Sequence, residues 1–130
     1  MACAPKYGIA SWVAVQQTRS EQGIGALQWD SSLARYVEHR AKELSESHEL
    51  NHDGLYDIAP EFWKANKTAI TLCEIGGRQP AWENPIAIFE GWKASPEHWK
   101  CVINPDLEKA AIASYLGSDG WIYEVMWLTD

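Results

Sequence analysis

The chain has 130 residues, 46% of them hydrophobic, and 18 acidic side chains against 11 basic ones, for a formal charge of −7. That length and apolar content suit one globular domain over residues 1–130 with a core of its own. The acidic balance and the lack of any Lys/Arg run argue against a nucleic-acid surface, and no apolar stretch is long enough to cross a bilayer.

The opening "MACAPKYGIA" has one Lys and no long hydrophobic segment, so no secretory signal is visible. Cys3, Cys73 and Cys101 allow at most one internal disulfide, with one thiol left over. Eight tryptophans are many for this length. Most are expected in the core, and the rest are available to line a groove.

In chain order, the spacing predicts a first helix over residues 9–22, with Ile9, Trp12, Val13 and Gln16 on its packing side and Gly23 as its stop. Asp30 is a good N-cap for a second helix, whose apolar positions Leu33, Val37, Ala41 and Leu44 recur at helical spacing. Its stripe extends to His48, and Asp53-Gly54 breaks the pattern, so the helix should end near Asn51 or His52.

The end of that helix contains His48, Glu49 and His52, a literal H-E-x-x-H. Inside a helix this spacing sets two imidazoles one turn apart, where they can hold zinc while the Glu works on a bound water. Here Asn51 and Asp53-Gly54 put His52 at or beyond the terminus, and no further His follows before His98. Glu74 could serve as the downstream carboxylate of such a site. His48 is better read as a partly buried imidazole near a helix C-terminus, where the dipole favours its cation.

"TAITLCEIGG" alternates, which puts Ile70, Leu72 and Glu74 on one face of a strand and Ala69, Thr71 and Cys73 on the other. A carboxylate closing an apolar face needs a partner, unless Glu74 reaches water at the strand end before Gly76-Gly77. Asn84-Pro85 then caps a short helix with Ile86, Phe89 and Trp92 inward. Ser95 caps a second turn that starts Pro96, Glu97, His98, and the helix dipole there disfavours the His98 cation, leaving a neutral, metal-competent imidazole. The chain closes on a predicted β-hairpin, "AAIASYL", "GSDG", "WIYEVMWL". Trp121, Tyr123, Val125 and Trp127 face one way along its last strand, and Ile122, Glu124, Met126 and Leu128 the other. Both faces are largely apolar, so helices should cover both, giving an α+β fold: a three-layer α-β-α sandwich with a central antiparallel sheet.

The succession "LQWDSSLA", "NHDG", "CEIGG", "WKASPEHWKCVINP" and a closing aromatic hairpin resembles the CAP superfamily, in its bacterial SCP-like form, from about Val15 to Leu128. The most specific match is Trp92, Ser95, Pro96 and His98, with Leu27, Trp29 and Asp30 in support. The resemblance implies the same three-layer fold and a central cleft holding two His and two acids. Its first His falls on His52, its strand-end Glu on Glu74 and its second His on His98. Two positions depart from the pattern: Ser95 stands where animal and plant members have a second Glu, and Ile75 where the family has Asn.

On that resemblance the cleft residues are His52, Glu74, Ser95 and His98, and His48 lies outside them. Two imidazoles and a carboxylate suit a divalent transition metal, Zn²⁺ above all, with His52 and His98 as ligands. Glu74 serves either as a third ligand or as the partner that orients one imidazole. The family implies secreted proteins of varied roles, with no shared reaction, so the first expectation is a non-enzymatic binding module whose cleft takes a metal ion and a small apolar ligand or a protein partner. A second expectation is a metal-dependent hydrolase with Glu74 as general base and His98 in the site. Its nucleophilic variant would use Ser95 or Cys101 beside His98, although Ser95 is expected to be taken up as a cap. A third is a structural or virion-type accessory domain. If the two motifs flank one cleft, Cys73 and Cys101 lie near each other; whether they pair is not legible in sequence.

Overall fold

The computed structural model describes residues 2–130. Ten elements follow in order: β1 (Ala2–Cys3), α1 (Pro5–Glu21), β2 (Gln28–Trp29), α2 (Ser31–Ser47), α3 (Asp53–Ala65), β3 (Leu72–Pro80), α4 (Ala87–Ala94), α5 (Pro96–Val102), β4 (Lys109–Leu116) and β5 (Trp121–Thr129). The strands form one sheet in the order β1-β4-β5-β3, with β2 added to the outer edge of β4. Every pairing is antiparallel except that of the two-residue β2.

The predicted hairpin is the centre of the molecule. β5 runs antiparallel to β4 from Lys109↔Thr129 to Leu116↔Ile122, and on its other edge to β3 from Leu72↔Thr129 to Pro80↔Trp121. Gly120 closes the turn at φ +81°, a left-handed conformation that glycine adopts without a Cβ clash. The two faces of β5 serve two cores, as the alternation predicts. Ile122, Met126 and Leu128 pack with Tyr7 and Val15 of α1, Ile88 and Trp92 of α4, and Val102 of α5. Tyr123, Val125 and Trp127 pack with Leu33, Val37, Ala41 and Leu44 of α2 and Phe62 of α3. The fold is therefore the α-β-α sandwich, with three helices on one face and two on the other.

Three expectations change. The packing face of α1 is Tyr7, Ser11, Val15 and Arg19, while Ile9 and Val13 are 62% and 56% exposed. Polar residues win that face because each meets a buried partner. Ser11 Oγ donates to the Glu124 carboxyl at 2.6 Å. Buried Arg19 donates to the carbonyls of Gly25, Val102, Asn104 and Leu107 at 2.8–3.0 Å, tying α1 to the loops that lead into β2 and β4. Second, Asp53-Gly54 opens α3 instead of ending a helix, with Asn51 Oδ1 accepting from the Asp53 N–H at 3.1 Å. Third, β3 continues through Gly76-Gly77 to Pro80, so Glu74 lies near the start of a nine-residue strand and not at its end. Asn84 accepts from the Ile86 N–H at 3.1 Å, in the turn just before α4.

Glu124 is fully buried on β5, between Ser11 and the Ser114 hydroxyl, which donates at 2.9 Å. Burial pushes its carboxyl up to about 8, and the two serine hydrogen bonds only partly oppose this. A folded-state value raised above the unfolded one means that the native state holds the extra proton, so stability is full below the unfolded value and falls as pH rises towards 8. Glu124→Gln keeps a group able to meet both hydroxyls and cannot ionise. Its melting temperature should change little between pH 6 and 9, whereas the parent chain's should fall; equal slopes in thermal scans would show that Glu124 titrates normally.

Candidate functional site

Asp30 accepts from the Ser32 N–H at 2.9 Å and starts α2, whose apolar stripe faces β5 and turns Arg40 inward. The helix ends at Ser47. His48 takes a left-handed conformation at φ 60°, its N–H donating to the Leu44 carbonyl at 2.9 Å, which stops the helix before Asn51. The H-E-x-x-H spacing therefore never lies on one helix. The His48 ring stacks on Tyr123 and its Nε2 contacts Ser118 Oγ at 3.1 Å, on the hairpin turn. His52, just before α3, goes elsewhere.

His52, Glu74 and His98 border one cleft of about 220 Å³, whose apolar walls include Leu44, Leu50 and Val125 and whose floor includes Gly76. Ser95 sits behind His98, its Oγ 2.8 Å from Nδ1. The four residues singled out in the sequence thus come together. Ser95 does not cap α5 through its side chain, because that hydroxyl is engaged by the imidazole.

The residue that the sequence reading missed is Arg40. Its side chain is 0% exposed and that of Glu74 2% exposed, and they form a two-pronged ion pair: Nε to Oε2 and Nη2 to Oε1, both 3.0 Å. Nη2 also donates to the Asn51 carbonyl at 2.8 Å, and Nη1 pairs with Glu43. Gly54 packs tightly beside this pair, and a Cβ there would force the Glu43 carboxylate and the Arg40 guanidinium to shift. Burial opposes the Arg40 charge, but Glu74 and Glu43 outweigh it and hold the guanidinium above its usual value. An Arg within a run such as "VEHRAKEL" reads as a solvated helix face; only its position one turn before Leu44, on the apolar stripe, hinted otherwise.

Glu74 accepts four hydrogen bonds. Oε1 takes Arg40 and His52 Nδ1, the latter at 2.8 Å; Oε2 takes Arg40 and the Trp127 indole N–H at 2.7 Å. A carboxylate offers about four lone-pair sites. All are in use. Burial alone would raise its value, yet the donors Arg40, Trp127 and His52 overcome burial and keep the carboxyl below its usual range, ionised. An ionised carboxylate only accepts, so the proton between Glu74 and His52 belongs to Nδ1, and a neutral His52 carries its free lone pair on Nε2. Burial, then the neighbouring His52, hold His98 below its usual value against the pull of Glu97, so it stays neutral at neutral pH.

For a metal, this set supplies His52 and His98 and stops there. Glu74 has no lone pair to spare, and among the described residues no group of three or more His, Cys, Asp and Glu side chains gathers to hold an ion. The residues present do not make a complete zinc donor set.

Cys73, next to Glu74 on β3, and Cys101 on α5 form a disulfide with Cα atoms 6.3 Å apart. It fastens the helix that carries His98 to the strand that carries Glu74, and closing such a loop stabilises by about 3–4 kcal/mol. Cys3 is free and exposed.

Arg40→Ala leaves the Glu74 charge buried without its main partner and should cost about 3–5 kcal/mol in urea unfolding; a loss below ~1 kcal/mol would mean that the pair is not buried in solution. His52→Ala should raise the His98 titration midpoint seen by NMR, because a neighbouring positive charge has gone. A midpoint that stays or falls would separate the two imidazoles.

Comparison with solved structures shows the same fold in bacterial surface and extracellular proteins. An outer surface protein of Borrelia burgdorferi superposes with a TM-score of 0.81 at 18% identity, covering 96% of this chain and 92% of that one. A cysteine-rich secretory protein of Staphylococcus aureus gives 0.72 at 19% identity, and an extracellular SCP-domain protein of Bacillus anthracis 0.74 at 17%. Each of these two covers 95% of this chain, which spans 38% and 40% of their respective lengths. A comparison with curated sequences returned no significant match. A family model, that of the cysteine-rich secretory proteins, matches residues 13–128. By that match over most of its length, and by the sandwich that frames the His52–His98 cleft, the chain belongs to the Cysteine-rich secretory protein (CAP) family.

Proposed function

We propose that the chain is a non-enzymatic binding module that works outside the cell and takes a small ligand, or a side chain of a protein partner, into the His52–His98 cleft. One observation carries this reading: every lone pair of Glu74 is already engaged, so the carboxylate positions His52 and has no capacity left to act as base or metal ligand. The cleft lining contains no serine, threonine or cysteine, and the Ser95 hydroxyl meets His98 at Nδ1, from behind the cleft. What it offers is two imidazole rings above Leu44, Leu50 and Val125, which suit a group with an apolar body and a hydrogen-bonding head. The Cys73–Cys101 disulfide supports an oxidising, extracellular location, as do the surface and extracellular relatives. No helix among the described residues is long and apolar enough to cross a membrane.

Zinc titrated into metal-stripped protein should bind no more tightly than two imidazoles allow, with the binding lost in His52→Ala and His98→Ala and kept in His48→Ala. A tight, stoichiometric ion that also needs Glu74 would overturn the reading and restore the metal centre. The hydrolase reading rests on the Glu74–His52 hydrogen bond, which leaves Nε2 of an oriented imidazole open to the cleft. Peptide or ester turnover abolished by His52→Ala at unchanged melting temperature would establish it in place of the binding module.

A further inference from the structure

A second cleft, about 300 Å³, lies at the outer edge of the sheet. β1 pairs with β4 at Tyr115 and Leu116, and β2 with Lys109 and Ala110, so among the described residues no strand covers the outer edge of β4 between them, while β5 lies along its other edge. The opening is bordered by α1 from one layer and α2 from the other. Its walls are aromatic and aliphatic: Trp12 and Trp29 meet with ring centroids 5.3 Å apart and planes at 68°, forming a corner that Ile9 and Ile112 extend. Ile9, which α1 leaves out of the core, borders this space.

One charge faces that corner. Glu38 of α2 borders the same space and is exposed, and it makes no ion pair or hydrogen bond among the described residues. Indole faces attract a cation through their quadrupole, and an unpaired carboxylate adds direct attraction. The apolar walls meanwhile remove alkyl groups from water. An anion would be repelled by Glu38, and a neutral apolar molecule would gain nothing from it. The volume is at the small end of ligand sites, roughly 300–1,000 Å³, and suits a compact head group. We infer that this cleft binds a trimethylalkylammonium ion, with the cation held between Trp12, Trp29 and Glu38.

Cys3 borders the cleft and is the chain's free thiol, which gives a reporter that needs no label. Choline is titrated into the intact chain at constant ionic strength, and the rate of Cys3 alkylation by N-ethylmaleimide is followed by intact mass. Its uncharged isostere, 3,3-dimethylbutan-1-ol, is run in parallel. Choline should slow alkylation severalfold and the isostere should not. Glu38→Gln and Trp29→Ala, both at exposed positions and so expected to keep the parent melting temperature, should each weaken the protection at least fivefold. No protection by choline, equal protection by the isostere, or full protection in Glu38→Gln would overturn the inference. With choline protection in hand, sedimentation with phosphatidylcholine vesicles, and not with phosphatidylglycerol vesicles, supports the site with a lipid headgroup as the source. Absence from both supports it with a free quaternary ammonium ion as the source.

Discussion

The buried pair of Arg40 and Glu74 is the interaction on which the cleft depends. Neither side chain has appreciable contact with water, so each charge stands only because the other faces it and because Glu43, Asn51, Trp127 and His52 complete the set of hydrogen bonds. The consequences spread from there. Asn51 is held by its carbonyl, which fixes the link between α2 and α3. A side chain at Gly54 would displace Arg40 and Glu43, and His52 is left with one tautomer and one direction. A network satisfied at every site is rigid because no member can turn without orphaning another.

The same sheet holds a second buried carboxyl in the opposite state. Glu124 meets two hydroxyls and no cation, so burial wins and the group keeps its proton near neutral pH. Glu74 meets a guanidinium, an indole N–H and an imidazole, so the donors win and the group is charged. The two residues belong to neighbouring strands and face opposite layers. What separates them is the partners that the helices bring: Arg40 on α2 and Ser11 on α1. One holds a site in place, and the other joins a helix to the sheet.

Much of this architecture is legible along the chain. The period-two alternation of "WIYEVMWL" assigns each residue of β5 to its core, and the Asp30 cap with Leu33, Val37, Ala41 and Leu44 defines α2. Both signals are local and repeat, which is why they survive without knowledge of what they pack against. The face of α1 could not be read in this way. Ser11 and Arg19 look like solvent residues until Glu124 and four distant carbonyls are placed opposite them, and Ile9 and Val13 look like core although the fold leaves both exposed. Asp-Gly is an ordinary helix breaker, and α3 starts on it because the Asn51 side chain and the acidic first turn favour a start there.

At the cleft, the sequence by itself determined which residues could meet: the resemblance put His52, Glu74, Ser95 and His98 in one place and left His48 outside it. Only the tertiary structure decided what those residues can do. Arg40 fills two of the four lone pairs of Glu74 from 34 positions away in sequence, and Ser95 serves His98 and not the helix end. The pairing of Cys73 with Cys101 is equally a matter of where β3 and α5 come to rest. The physical reason is the same in each case. Residue type and local spacing set the inventory of donors and acceptors, but occupancy of a lone pair depends on which group arrives within 3 Å, and long-range packing alone settles that.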